Sequence, residues 1–114
     1  MRLRVKSVFS VLRTKGFIAR MNFSCCMSCG LAEMEEILKK RGKEKWCFWH
    51  NQDDISMREG HNLMLRYGNI DPKESVAAGK EVCEELDRVG LAWNWNGSSE
   101  KCIEVLQESH EEEQ

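Results

Sequence analysis

The stretch from Asp71 to Gly90 has the least conformational freedom in the chain. Asp71 is a good helix-capping residue, Pro72 suits the first helical position, and Glu74 stands three residues after Asp71 in capping-box order. Val76, Val82, Cys83, Leu86 and Val89 then mark one buried stripe, and Gly90 ends the helix. Strand-type runs flank it on both sides. Before it come the aromatic run Trp46-Cys47-Phe48-Trp49-His50 and an alternation of Leu63, Leu65 and Tyr67 with Met64 and Arg66 that stops at Gly68; the residues between them, 51 to 60, read as a polar loop. After it Leu91, Trp93 and Trp95 alternate, Asn96-Gly97 is a hairpin signal, and Cys102 to Leu106 supplies a returning strand. A helix between two strand pairs must bury its stripe on them, which predicts a four-stranded, mostly antiparallel sheet with helices packed on one face.

Two further helices precede this core. Val5, Val8, Phe9 and Leu12 recur at helical spacing up to Gly16, and Phe17-Ile18-Ala19 reads as a brief extended segment. Leu31, Met34, Ile37 and Leu38 form a second stripe, with Glu33, Glu35 and Glu36 near its start, Lys39, Lys40 and Arg41 near its end, and Gly42 to stop it. The expected architecture is an α+β fold of order ααββαββ with about three helices. One domain over residues 1–108 is expected, followed by a frayed acidic tail at 109–114.

Charge is distributed unevenly. The formal net charge is -2, but up to Lys45 there are 11 basic and 4 acidic residues, and beyond it 6 basic and 15 acidic. Two solvated faces of opposite sign are the ordinary outcome; an acidic surface offered to a basic partner is the other. Met1 to Lys6 is basic, yet the apolar run after it, Val8 to Leu12, is shorter than the ~7 to 15 residues of a signal-peptide core. No stretch approaches the ~18 apolar residues of a membrane span. A cytoplasmic setting with reduced thiols is expected, so six cysteines do not imply three disulfides.

The concentrated chemistry is Cys25-Cys26-x-x-Cys29, placed just before the second helix. A C-x-x-C spacing lets two thiolates reach one tetrahedral ion, so Cys26 and Cys29 form a zinc half-site with Cys25 as a spare ligand. No second C-x-x-C follows. The remaining donors must come from elsewhere, and His50, Asp53 and His61 are the candidates. Burial of three small apolar thiols is the plain alternative. A dithiol couple at a helix N-terminus, where thiol pKa falls, is another, although no strong strand in a βαβ setting precedes the motif. Cys47, Cys83 and Cys102 read as core filling, and His110 as a solvated residue of the tail.

The common nucleotide, hydrolase and zinc-protease signatures are missing. A cysteine with His50 and Asp53 could imitate a cysteine-hydrolase set. Trp93 and Trp95 could stack bases, but they alternate as core residues do and sit among carboxylates, so direct nucleic-acid binding is not expected unless the basic N-terminal part forms a patch of its own.

Asn22-Phe23-Ser24-Cys25-Cys26-x-x-Cys29-Gly30, Phe48-Trp49-His50-Asn51-Gln52-Asp53, Leu65-Arg66-Tyr67-Gly68 and Gly90-Leu91-x-Trp93-x-Trp95-Asn96-Gly97 together resemble a family of small bacterial domains of unknown function. The likeness runs from about Phe17 to Val105, with Asn96 in place of the usual Asp. It implies that Cys25, Cys26, Cys29, His50, Gln52 and Asp53 belong to one site, and it brings no activity with it. The functional expectation is a non-enzymatic, zinc-stabilised protein-binding module whose metal is held by Cys25, Cys26 and Cys29 with His50 or Asp53. Its acidic part would meet a basic protein surface, as an inhibitor or regulator of a nucleic-acid-handling protein of the phage anti-CRISPR sort would. A thiol redox or cysteine-nucleophile enzyme is the alternative.

Overall fold

The computed structural model describes residues 2–107, so the expected acidic tail lies outside the described residues. Helix α1 (Arg2–Thr14) buries Val5, Val8, Phe9 and Leu12, the four residues of its apolar stripe. Gly16, at φ +93, turns the chain into β1 (Phe17–Arg20), so the brief extended segment is a true strand. Helix α2 (Met27–Arg41) follows and ends at Gly42, whose left-handed backbone lets its own N–H and that of Lys43 reach Leu38 O. Strand β2 (Lys45–Phe48) then lies parallel to β1.

β1, α2 and β2 are therefore a βαβ crossover, which overturns the expectation that the cysteine motif lacks such a setting. A three-residue apolar segment is too short for periodicity to announce a parallel edge strand.

Residues 51–60 are also more ordered than expected. Asn51–Arg58 form α3, and His50 at its N-cap accepts from the Asp53 N–H while the Asp53 carboxylate takes the His50 N–H. Histidine is not among the usual capping residues, and with few apolar residues the helix leaves a weak stripe. Strand β3 (Leu63–Asn69) pairs antiparallel with β2. Asp71 caps as expected, accepting from Lys73 N–H at 3.0 Å, but Pro72–Glu74 form a turn of 3-10 helix and α4 runs from Ser75 to Arg88. β4 (Trp93–Asn94) and β5 (Ile103–Val105) complete the sheet, in the order β1-β2-β3-β5-β4. The α+β class stands, with five strands and four helices among the described residues.

The layers differ as well from the expected packing of helices on one face. α1 and α4 cover one face of the sheet, where Phe17 and Ala19, Cys47 and Trp49, and Leu63, Leu65 and Tyr67 join one apolar cluster with the stripes of both helices. α2 covers the opposite face, where Met34 and Leu38 meet Ile18 and Phe48. Helices thus pack on both faces. The run Trp46-Cys47-Phe48-Trp49 carried that signal, since a strand buried on both sides is apolar at every position. From β3 onward this second face carries Met64, Arg66, Cys102 and Glu104, with Arg66 reaching Asp53 at the start of α3. Ion pairs join the two charge halves: Lys15 with Glu85 at 2.6 Å, Lys45 with Glu81 at 3.2 Å, and Arg2 with Asp54. No helix among the described residues is long and apolar enough to cross a membrane.

Candidate metal centre

The cysteines sit where the chain leaves β1 and enters α2. Asn22 (φ 49) and Ser24 (φ 69) adopt the left-handed region on either side of Phe23, a conformation that L residues enter at a cost and keep only when neighbours hold it. Those neighbours are present. Phe23 N–H donates to Trp49 O at 2.7 Å, Asn51 N–H to Ser24 O at 3.0 Å, and the Asn51 side chain to Asn22 Oδ1 at 3.2 Å. Phe23 also packs edge-on against Phe48, with ring centroids 5.5 Å apart. The loop is tied to the start of α3 before the first cysteine is reached.

Cys26 is the N-cap of α2, in extended backbone, and Cys29 lies in the first turn. The sulfurs of Cys25, Cys26 and Cys29 all lie within 4.8 Å of one another, and the Cys25–Cys26 Sγ–Sγ distance is 3.9 Å. Thiolates about 2.3 Å from a tetrahedral zinc ion stand about 3.8 Å apart, so the spacing fits a shared ion. Cys25 and Cys29 are exposed and Cys26 half-buried, which rules out the reading of the trio as core filling. All six cysteines are free thiols.

The three thiols are not equivalent. The backbone N–H of Cys29, with the thiols of Cys29 and Cys25, holds the Cys26 pKa below the ordinary thiol value. Cys29, facing Cys25 and Cys26, is pushed up to about 11. Cys26 is thus the first of the three to ionise, and a cation placed among them would draw the other two down with it.

His50 and Asp53 do not join this group. His50 is buried and its Nδ1 accepts the α3 capping bond, which leaves Nε2 facing Asp53 Oδ2 at 3.4 Å and Arg66 Nη2 at 3.1 Å. Burial holds its pKa below 6.5, with Asp53 opposing and Arg66 assisting. Arg66 also donates to Asp53 Oδ1 at 3.1 Å and to Cys102 Sγ at 2.8 Å. His50, Asp53, Arg66 and Cys102 therefore form a second cluster, on the α2 face of the sheet. Met27 of α2 lines the small cavity of about 60 Å³ that Arg66 and Cys102 border. Gln52 and His61, the other candidates, are exposed. Sequence reasoning missed Arg66 and Cys102, and their alternate placement on β3 and before β5 was the available sign.

The lone thiols behave as expected of buried cysteines: burial pushes the Cys47 and Cys83 pKa values upward, that of Cys83 to about 12. Cys102 is raised by burial too, against the pull of Arg66.

Residues 2–110 match the family described as a domain of unknown function, DUF6891, and the chain belongs to it. This agrees with the resemblance to an uncharacterised family. No curated protein and no solved structure matches the chain.

Proposed function

We propose that the chain is a small zinc-holding protein-binding domain in which Cys25, Cys26 and Cys29 ligate one ion and a fourth position stays open to solvent or to a donor from a partner. The mutual approach of three sulfurs within 4.8 Å, two of them on exposed residues and one on a half-buried residue, carries this reading. Structural zinc sites close with four protein donors, whereas sites with three leave a position for exchange. His50 and Asp53 are engaged with Arg66 and α3, which argues for a fourth donor from outside the chain. The partner surface on this reading is acidic. Glu84 and Asp87 flank a groove with Trp93 and Trp95, and a basic protein surface complements it. Asp54, Glu81 and Glu85 are paired internally and are not free for such a contact.

Metal-free protein titrated with zinc tests the reading. One ion per chain is expected, with all three cysteines protected from alkylation and sulfur-to-metal charge-transfer absorption on cobalt substitution. Unchanged alkylation of Cys25, Cys26 and Cys29 at one equivalent of zinc would end it.

A second reading rests on the βαβ placement of Cys26-x-x-Cys29, with its first thiol lowered and its second raised. Here the Cys26 thiolate attacks a substrate disulfide, breaking its S–S bond and releasing one substrate thiolate. The Cys29 thiol, giving up its proton, then attacks Cys26 Sγ of the mixed disulfide, forming the Cys26–Cys29 bond and releasing the second substrate thiolate, so the substrate is reduced and the pair oxidised. Metal-free protein that reduces a small disulfide stoichiometrically, and loses this with Cys29→Ser, would favour it over zinc.

A further inference from the structure

We infer that the outer edge of β1 is a binding cleft for a phosphate-bearing anion. A cleft of about 450 Å³ lies between the C-terminal ends of α1 and α2, over Phe17 and Ile18, and is lined by Arg13, Arg20, Arg41 and Lys43 with no carboxylate. Its volume is that of a small-molecule site.

The pairing of arginines elsewhere makes this set stand out. Arg2 and Arg58 are held by Asp54, Arg66 by Asp53, and Arg88 by Glu85. Arg13, Arg20 and Arg41 have no carboxylate partner among the described residues, and all three line the one cleft. All four cations come from the stretch up to Lys45, with 11 basic and 4 acidic residues, and the fold gathers four of those 11 at one edge. Helix dipoles call for a cation at the end of α1 and of α2; they do not call for Arg20 on the strand between.

The cleft is also partly preorganised. Arg13 donates from Nε and Nη2 to Ala19 O at 3.0 and 2.8 Å, which fixes its guanidinium plane over the strand edge and leaves its remaining N–H groups unused. The same bonds block Ala19 O from pairing with an added strand, which disfavours a peptide laid along β1. Planar guanidiniums bind phosphate oxygens in pairs, and four cations suit more than one phosphate group. A free organic polyphosphate and the backbone of a single-stranded nucleic acid share that chemistry.

Amide-resolved titration of the whole chain at about 50 mM salt, with inorganic triphosphate, a nucleoside triphosphate and a short oligothymidylate, tests the site. Saturable shifts confined to residues 13–20 and 41–43 are expected, weakened about tenfold or more in the double variant Arg20→Ala, Arg41→Ala. Lys73→Ala, far along the chain at an exposed turn, should bind as the parent does. Tighter binding of the oligonucleotide than of triphosphate identifies a strand as the source of the phosphates; equal or weaker binding identifies a free polyphosphate. Absence of saturable shifts with all three probes, or parent-like affinity in the correctly folded double variant, overturns the inference.

Discussion

On one face of the sheet α1 and α4 bury a continuous apolar layer that reaches from Val5 to Val105, whereas on the other α2 is held by Ile18, Met34, Leu38 and Phe48 with half-buried Phe23, Ile37 and Trp46 around them. The ionisable groups of the larger layer are the raised Cys47 and Cys83 thiols, the Tyr67 phenol and, at its edge, the Asp54 carboxylate bonded to Trp49. The smaller one carries the three clustered sulfurs at its rim and the His50, Asp53, Arg66 and Cys102 cluster beside it. Stability and chemistry are thus separated by the thickness of one sheet. An element with few buried apolar contacts opens more readily than the core, so α2 is the part of the fold that a ligand at its N-terminus can most affect.

The sharpest test of this inequality is a pair of truncations. Trp49 is fully buried in the larger layer, its ring 5.3 Å from that of Phe9 and its Nε1 donating to Asp54 Oδ1 at 3.0 Å. Trp49→Ala should cost about 3–5 kcal/mol, because it opens a cavity and removes a donor from a buried carboxylate. Met34→Ala on the α2 face should fall near 2 kcal/mol, the lower end of such losses. Urea unfolding measures both; equal costs would show that the two layers hold the fold alike.

Zinc should act on one layer only. At a free concentration about a hundredfold above the dissociation constant it adds about 2.7 kcal/mol to stability. Hydrogen exchange should slow in α2 and at Phe23 and Ser24, with α1 and α4 following only the global change. Uniform slowing of every element would mean that the ion does not act through α2.

Gly30 offers a smaller perturbation of the same contact. A Cβ there would lie 2.8 Å from Cε1 and 2.9 Å from Cζ of Phe48, so α2 approaches β2 as closely as it does only because this helical position lacks a side chain. Gly30→Ala should cost about 1–3 kcal/mol of overpacking, offset in part by about 1 kcal/mol of helix propensity. Zinc affinity should fall with it, since Cys26 and Cys29 move with the first turn. Unaltered affinity in a destabilised variant would uncouple the cysteine loop from helix docking.

Much of this arrangement was legible in the residues, and the failures have physical causes. The stripes of α1, α2 and α4 are long enough for their period to stand above noise: α1 buries all four residues that the spacing selected, α2 buries Met34 and Leu38 with Ile37 half-buried and Leu31 exposed, and α4 buries Val82, Cys83 and Leu86 with Val76 and Val89 half-buried. The placement of Cys25, Cys26 and Cys29 at the head of α2 followed from the stripe of Leu31, Met34, Ile37 and Leu38 and from the order of charges along it. What could not be read were features set by partners distant in sequence. β1 is a strand because β2, a helix away, pairs with it from Phe17↔Lys45 to Arg20↔Phe48. The expectation that His50 and Asp53 reach the sulfurs depended on the same missing information. In the structure the capping box engages Nδ1, and Asp53 and Arg66 face Nε2, so His50 and Asp53 are bonded to α3 and Arg66 and are not grouped with the sulfurs.

The gentlest perturbation addresses that histidine directly. Burial lowers the pKa of His50, so near and below pH 6.5 the unfolded chain binds the proton more readily than the folded one. The stability that His50 contributes is therefore complete above its ordinary value and is lost as pH falls through that value toward the lowered one. His50→Asn keeps a side-chain acceptor for the Asp53 N–H but does not titrate, while His50→Ala removes both. At neutral pH the alanine variant should be about 1 kcal/mol less stable than the asparagine variant. Both should lose the slope of stability against pH near 6, and both should bind zinc as the parent does. Reduced zinc stoichiometry in the asparagine variant would place the imidazole among the ligands and would join the two clusters that the fold keeps apart.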